Sequence, residues 1–392
     1  MIIEINGAGF VNNGAQLMLE TVMHELGSEG ISFAMPGRGS VFEERGRRGI
    51  RLLAAEHRAV FGPRGLVRAM TRPISQALLT PQFCQAAGLV LESQIDALVD
   101  VSGYAFGDHW GARPALNLSA HVRRLRRLKR PVILLPQMFG PFEKPTVAKA
   151  CRKLVDQVDR VFAREQASYD AICSIAGWTD HISIAPDITI AHGIEALASN
   201  HTPLADRDYV CIVPNMRVLD KGGATWEGRY GQLLTKAVTD ARDAGLRVIL
   251  VSHDASSTDM QLVHSLADRI GSERIESHVV KEPLSFKKLA GGARFVLASR
   301  FHAAVSALSV GTPALTLGWA HKYRMLVQDF GVGEFDLPND AGDDQLTSRL
   351  DKLLDDAQWQ DVHLRLTAAG GELASQSKAM WNEVRDRIGI GS

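Results

Sequence analysis

A chain of 392 residues, 45% hydrophobic and 22% charged, is too long for one comfortable core and too apolar for extended disorder, so two globular domains are expected. Lys plus Arg and Asp plus Glu stand at 44 each, so no global field recommends a nucleic acid or an acidic polymer, and any cationic function is local. Cys84, Cys151, Cys173 and Cys211 show neither the paired spacing of a zinc site nor the density of a secreted scaffold, which points to a reducing compartment.

The amino-terminal MIIEING has no basic and then apolar leader pattern, and no run reaches the roughly 20 apolar residues of a membrane helix, so a cytoplasmic protein is expected. In chain order, short β-branched runs predict strands at Ile2 to Ile5, Ile31 to Met35, Ile95 to Val101, Val132 to Leu135, Val161 to Ala163 and Ile182 to Ala185. Residues 44 to 90 read as helical with weak punctuation, and the polar stretch Gly193 to Asp206 reads as a linker. Strands resume at Tyr209 to Val213, Arg247 to Val251, Ile275 to Val279, Phe295 to Ala298 and Ala314 to Leu317, with helical periods between them. From Asp343 to Arg387 the pattern is helix only. This βα repetition predicts an α/β protein of two Rossmann-like domains, 1–195 and 196–392, with carboxyl-terminal helices. In open parallel sheets ligands bind outside the carboxyl ends of the strands, so two such sheets are expected to face a cleft there.

The candidate chemistry lies at those strand ends. After the first strand, NGAGFVNNGAQL lacks the third glycine of a dinucleotide fingerprint, so no nucleotide cofactor is expected, while Asn12 and Asn13 suit a hydroxyl-rich ligand. SGYAFGDHWG supplies Asp108, a general base for a sugar hydroxyl or a solvated loop carboxylate. HVRRLRRLKR at 121–130 holds six cations in ten residues and reads as a solvated helix face, with attraction to an anionic membrane surface or to a lipid-diphosphate acceptor as the weaker option. In VDRVFAREQASYDAI a strand ends at Ala163 before Arg164 and Glu165. Arg164 is either an anion ligand or a surface partner of Glu165, and Asp187 in SIAPDITI accepts a proton, orients Arg164 or simply shapes a Pro-Asp turn.

Further on, VILVSHDASSTD places His253 and Asp254 after a strand, where the imidazole could serve a substrate hydroxyl or cap a helix. In LASRFHAAVSALSVGTP, Ser299 is the expected N-cap, and Arg300 and His302 fall in the first helical turn. A cation there opposes the helix dipole unless an anion compensates, so the placement suggests an anion site, against the plainer option of an exposed Arg and a packed His. LGWAHKYRML then offers Lys322 as a second cation for the same anion.

Taken together, RE followed by Ser168, the PD after a strand, LPQMFGPF at 135–142 and SRFHAAVSALSVGTPALTLGWAHKY resemble the polysaccharide pyruvyl transferase family. The resemblance runs from the Asn-Gly turn to Lys322. It implies a fold like that of the two-domain GT-B glycosyltransferases and transfer of pyruvate from phosphoenolpyruvate to a sugar or glycan acceptor, lipid-linked or free, as a ketal, in cell-surface or exopolysaccharide biosynthesis. It also implies that Arg164, Arg300 and His302 line the donor site. In that scheme His302 is the acid, Arg164, Arg300 and Lys322 bind the anion, Asp108 or His253 takes the hydroxyl proton, and neither metal nor cofactor is required. Tyr104 and Phe106 interrupt a turn expected to be glycine-rich in the family, which bears on the acceptor. The competing readings are a GT-B glycosyltransferase using a nucleotide sugar and a non-catalytic carbohydrate- or anion-binding protein of the same fold.

Overall fold

The structure, a computed structural model, describes residues 1–10, 12–36, 46, 48–53, 81–194, 206–221, 226, 228–253, 257–271 and 275–391. The chain forms two compact units, Met1–Phe10, Met18–Ile188 and Ser377–Ser392 in the first, Val11–Leu17 and Thr189–Gln376 in the second. Against the expected division at 195, a short early segment joins the second unit and the last sixteen residues join the first. Most of the expected linker, 195–205, lies outside the described residues.

The first unit is built on eight strands, β1 (Ile2–Asn6), β2 (Ser32–Pro36), β3 (Arg51–Leu53), β4 (Leu89–Val90), β5 (Ala97–Asp100), β6 (Val132–Gln137), β7 (Arg160–Ala163) and β8 (Ile182–Ile184), in the order β4-β3-β2-β1-β5-β6-β7-β8. Every pairing is parallel. The central strands are covered on both faces, so VILLPQ in β6 and ALVD in β5 are buried at every position and read as continuous apolar runs. Pro136 cannot donate to a ladder, and the register of β6 on β7 shifts between Leu134 and Gln137 around it. β3 and β4 correct the expectation of helix across 44–90. They are too short for period-two patterning to register, Pro81–Ala86 is helical, and 54–80 lies outside the described residues.

The second unit carries β9 (Tyr209–Val213), β10 (Arg247–Ser252), β11 (Ile275–Val279), β12 (Val296–Ala298) and β13 (Ala314–Thr316), parallel, in the order β11-β10-β9-β12-β13. Strand order reverses between β1 and β5 in the first sheet and between β9 and β12 in the second, the places where open α/β sheets bind ligands. The helix Phe301–Ser309 that leaves β12 is almost wholly buried, and its small residues (Ala303, Ala304, Ser306, Ala307) let it lie close against the sheet until Gly311, at φ 75°, turns the chain out. The helices Asp343–Leu354 and Asp356–Ile388 occupy the tail, as its amphipathic pattern predicts. Among the described residues no helix is long and apolar enough to cross a membrane.

Candidate functional site

In the second unit the reversal point is assembled from the chain after β9 and after β12. Asn215 donates its side-chain amide to the Ser299 carbonyl at 2.9 Å, and the Tyr323 hydroxyl donates to the same oxygen at 2.8 Å, so the turn after β12 is held from two sides. That turn puts Arg300, not Ser299, at the N-cap. Ser299 is fully buried at the strand end, the Arg300 backbone is extended, and the helix begins at Phe301. The Arg300 guanidinium directs both Nε and Nη2 onto Oδ2 of Asp259, with Nε at 2.8 Å. Asp259 is fully buried in the first turn of the helix Ser257–Ile270, and its other oxygen accepts the Met216 N–H at 3.1 Å. One carboxylate thereby fixes where the Arg300 fork points, a geometry that suits planar anion recognition.

His302 follows in the first turn, where the dipole is positive and where the N–H groups of Ala303 and Ala304 already donate to the Arg300 carbonyl. Its imidazole packs on Gly14, where a Cβ would stand 2.1 Å from Nδ1, so only glycine is accommodated. His253 is buried after β10, edge-on to Phe286 with ring centroids 5.1 Å apart. Burial first, and then the neighbouring charges of Arg300 and His302, push its pKa down to about 3, so it is neutral at ordinary pH. Asp254, named with it, lies outside the described residues. Asn13 donates to the carbonyls of His253 and of Val280, the latter at 3.0 Å, and the Asn12 carboxamide oxygen accepts the Gly14 N–H at 2.8 Å as a helix cap. Both asparagines thus have structural duties. Lys322 sits with Nζ 5.1 Å from the Phe301 ring centroid and 5.6 Å from those of Trp319 and Tyr323, a cation held among aromatic rings after β13.

In the first unit Arg164 follows β7 and is buried. Its Nη1 donates to Asp187 at 3.1 Å and its Nε lies 3.6 Å from Glu165, so it is held between two carboxylates, and the pair with Glu165 is buried rather than at the surface. Ser168 donates to Glu165 and accepts the Phe139 N–H at 2.8 Å, tying the RE segment to the turn after β6. Asp108 accepts the backbone N–H groups of Glu143 and Lys144, at 2.7 and 3.2 Å, before the helix Pro145–Val155. Its carboxylate is committed to that turn.

Several contributors were not singled out from sequence: Asp259, Asn215, Gly14 and, in the first unit, Asp100. Asp259 ends the stretch VILVSHDASSTD, but an acidic residue in a helix's first turn is ordinary, so only its contact with Arg300 marks it. Asp100 is buried at the reversal between β1 and β5, where Asn6 and Gln137 donate to it, the latter at 3.2 Å. Burial raises its pKa, and the hydrogen bonds of Asn6, Ser102 and Gln137 act against that rise.

A family model described as polysaccharide pyruvyl transferase matches residues 14–321, from the glycine under His302 to the residue before Lys322. The chain belongs to the polysaccharide pyruvyl transferase family. Among curated proteins it is similar to the amylovoran biosynthesis protein AmsJ of Erwinia amylovora, 21% identical over 272 residues. That match takes in 66% of this chain and 64% of AmsJ, so it spans a little less than two thirds of the relative's length. Among solved structures, HepE of Anabaena in complex with UDP and glucose superposes with a TM-score of 0.56 at 12% identity, covering 98% of each chain. The S. aureus MnaA–UDP structure gives 0.59 at 12% identity over 100% of this chain and 97% of that one. At such identities the likeness is one of fold, and it makes this family member a GT-B-like protein of two parallel-sheet α/β units.

Proposed function

We propose that this family member transfers pyruvate from phosphoenolpyruvate to two hydroxyls of a sugar in a glycan, as a ketal, in exopolysaccharide biosynthesis. The observation that carries the reading is Arg300, placed at the strand-order reversal of the second sheet and aimed by the buried Asp259. Phosphoenolpyruvate has a carboxylate and a phosphate at its two ends. Arg300, the first turn of the helix Phe301–Ser309 and Lys322 offer a guanidinium, backbone N–H groups and an ammonium to such an anion.

In this reading His302 gives a proton to the methylene carbon of phosphoenolpyruvate, and C2 becomes electrophilic as the double bond is lost. A sugar hydroxyl oxygen bonds to C2 and releases its proton to a base. A second hydroxyl of the same sugar then displaces phosphate, which leaves with the C2–O bonding pair and takes up that hydroxyl's proton, and the ketal closes. Asp108 and His253 are the bases assigned to the hydroxyl proton. His253, with a pKa of about 3, accepts a proton poorly near neutral pH, and Asp108 serves only by yielding the bonds it accepts from the Glu143 and Lys144 N–H groups. Arg164 and Asp187 are assigned to the same reaction through the family resemblance. No cofactor enters this scheme.

The test is a thermal-shift titration with phosphoenolpyruvate and, separately, UDP and GDP sugars, followed by phosphate release in the presence of an acceptor glycan. Phosphoenolpyruvate is expected to raise the melting temperature of the parent and of His302→Ala but not of Arg300→Ala. Phosphate release is expected to fall by about 100-fold in His302→Ala, the range of a lost general acid. A shift with nucleotide sugars alone would reassign the chain to glycosyl transfer. Binding of phosphoenolpyruvate with no phosphate release on any acceptor would leave a binding protein.

A further inference from the structure

The loop after β5 carries three aromatic side chains that the reaction scheme does not use. Tyr104 and His109 stack with centroids 6.3 Å apart, Trp110 meets Tyr104 edge-on at 6.0 Å, and His109 meets Trp110 edge-on at 5.1 Å. Trp110 is 48% exposed, whereas the next aromatic in the loop, Phe106, is buried against Phe139. Trp110 thus presents a large apolar ring to solvent next to two further ring systems, a grouping rather than a single scattered side chain.

The loop is also rigid. Gly140 N–H donates to the Phe106 carbonyl at 2.9 Å, Asp108 N–H to the Pro141 carbonyl at 3.0 Å, and the Tyr104 hydroxyl to the Gly140 carbonyl at 3.2 Å. The Asp108 carboxylate takes the Glu143 N–H at 2.7 Å from the other side. The two loops approach so closely that a Cβ on Gly107 would stand 2.3 Å from the Gly140 oxygen. Rings held this way lose little freedom when a ligand covers them, which is the property that makes aromatic platforms efficient.

We propose that Tyr104, His109 and Trp110 form a stacking platform for one hexopyranose ring of the acceptor glycan. The identity of that ring as the acceptor rests on the pyruvyl-transfer reading. One face of a pyranose presents C–H groups carrying slight positive charge, which match the negative face of an indole, while ring hydroxyls reach the polar edges of His109 and Tyr104. Size decides against a protein partner. A stable protein interface needs about 800 Å² from each side, and this cluster offers three rings, of which His109 and Trp110 are exposed. The platform stands beside the strand-order reversal between β1 and β5, where this sheet type places ligands.

The experiment is saturation-transfer NMR on the full chain with methyl β-D-glucopyranoside, methyl β-D-galactopyranoside and methyl α-D-mannopyranoside as probes. At least one is expected to receive saturation at its ring C–H protons, with the signal reduced at least threefold in Trp110→Ala and largely kept in Trp110→Phe. Trp110 is exposed, so both variants should melt with the parent. With an acceptor glycan that supports phosphate release, Trp110→Ala should raise the acceptor KM at least tenfold and leave the phosphoenolpyruvate-induced thermal shift unchanged. Equal saturation in the parent and Trp110→Ala, or none in the parent with all three probes, overturns the platform. Trp110-dependent saturation without phosphoenolpyruvate-dependent phosphate release would keep the platform and sink the transfer reading.

Discussion

At Gly14 two residue-scale effects compete. Alanine is favoured over glycine inside a helix by about 1 kcal/mol, so propensity alone predicts that Gly14→Ala stabilises the helix Asn13–Leu26. The new Cβ, however, would stand 2.1 Å from Nδ1 of His302, and the imidazole must swing away. Under the proposed reaction, phosphate release should drop at least tenfold while the urea midpoint moves by less than about 1 kcal/mol of stability. Asp259→Asn tests the other anchor. It retains an acceptor for Met216 N–H but leaves the Arg300 guanidinium, only partly exposed, without its carboxylate. A loss of about 3 kcal/mol is expected in urea unfolding, with weaker phosphoenolpyruvate binding.

At the scale of elements, Lys287 is a cation buried for a structural purpose. It lies in the helix Pro283–Gly292, fully buried, and its ammonium donates to the carbonyls of Thr189, Ile190 and His192 at 2.9, 3.0 and 2.8 Å. Those carbonyls belong to the segment that opens the main part of the second unit, so one side chain pins the entering chain to a helix. Lys287→Met keeps the apolar stem and removes all three bonds. At about 1–3 kcal/mol for each buried group left unpaired, calorimetry should show a loss of at least 3 kcal/mol. Two cations of the basic helix Arg113–Arg127 are likewise engaged locally. Arg124 binds Glu92 at 2.6 Å and Arg126 the Gln157 carbonyl at 2.9 Å, while Ala115, Leu118, Val122 and Leu125 face the core.

At the scale of the whole molecule, the pH dependence of stability should carry the mark of one buried network in the first unit. His121 lies 2.6 Å from Glu4 and 3.5 Å from Glu92, and Arg124 holds the other oxygen of Glu92. Burial pushes the His121 pKa down, but the carboxylates of Glu4 and Glu92 outweigh it and the net direction is up. For Glu92 burial pushes up, and the hydrogen bonds and charges of His121 and Arg124 carry the net direction down. A histidine whose folded pKa is raised contributes stability that is complete below its unfolded value and is lost as pH climbs through the folded one. A carboxylate whose folded pKa is lowered contributes stability above its unfolded value that is lost as pH falls through the folded one. The network therefore supports folding best between the ordinary Glu and His ranges. Urea midpoints from pH 5 to 9 should fall on the alkaline side, and His121→Gln should flatten that fall. Asp100, whose pKa burial raises, loses stability in the same direction, so the difference between variant and parent isolates the histidine.

Periodicity made the sheets legible because a strand buried on both faces writes itself as an apolar run, as β6 and β12 do, and small residues at helical spacing marked the helix after β12. The RE, PD and SRFHA stretches were legible for a related reason, since a cation at a strand's carboxyl end opposes local preference. β3 and β4 were not readable, because two or three residues carry no period and their pairing is supplied by the sheet. Tertiary structure alone decided that Asp259 aims Arg300, that Asp187 holds Arg164 and that Gly14 makes room for His302. Their partners stand 41, 23 and 288 positions away in sequence, and no local pattern reports a contact made by folding. It also gave Asp108 a backbone to cap and gathered Tyr104, His109 and Trp110 on a fixed loop, since only packing decides which polar groups are already satisfied and which rings remain open to a ligand.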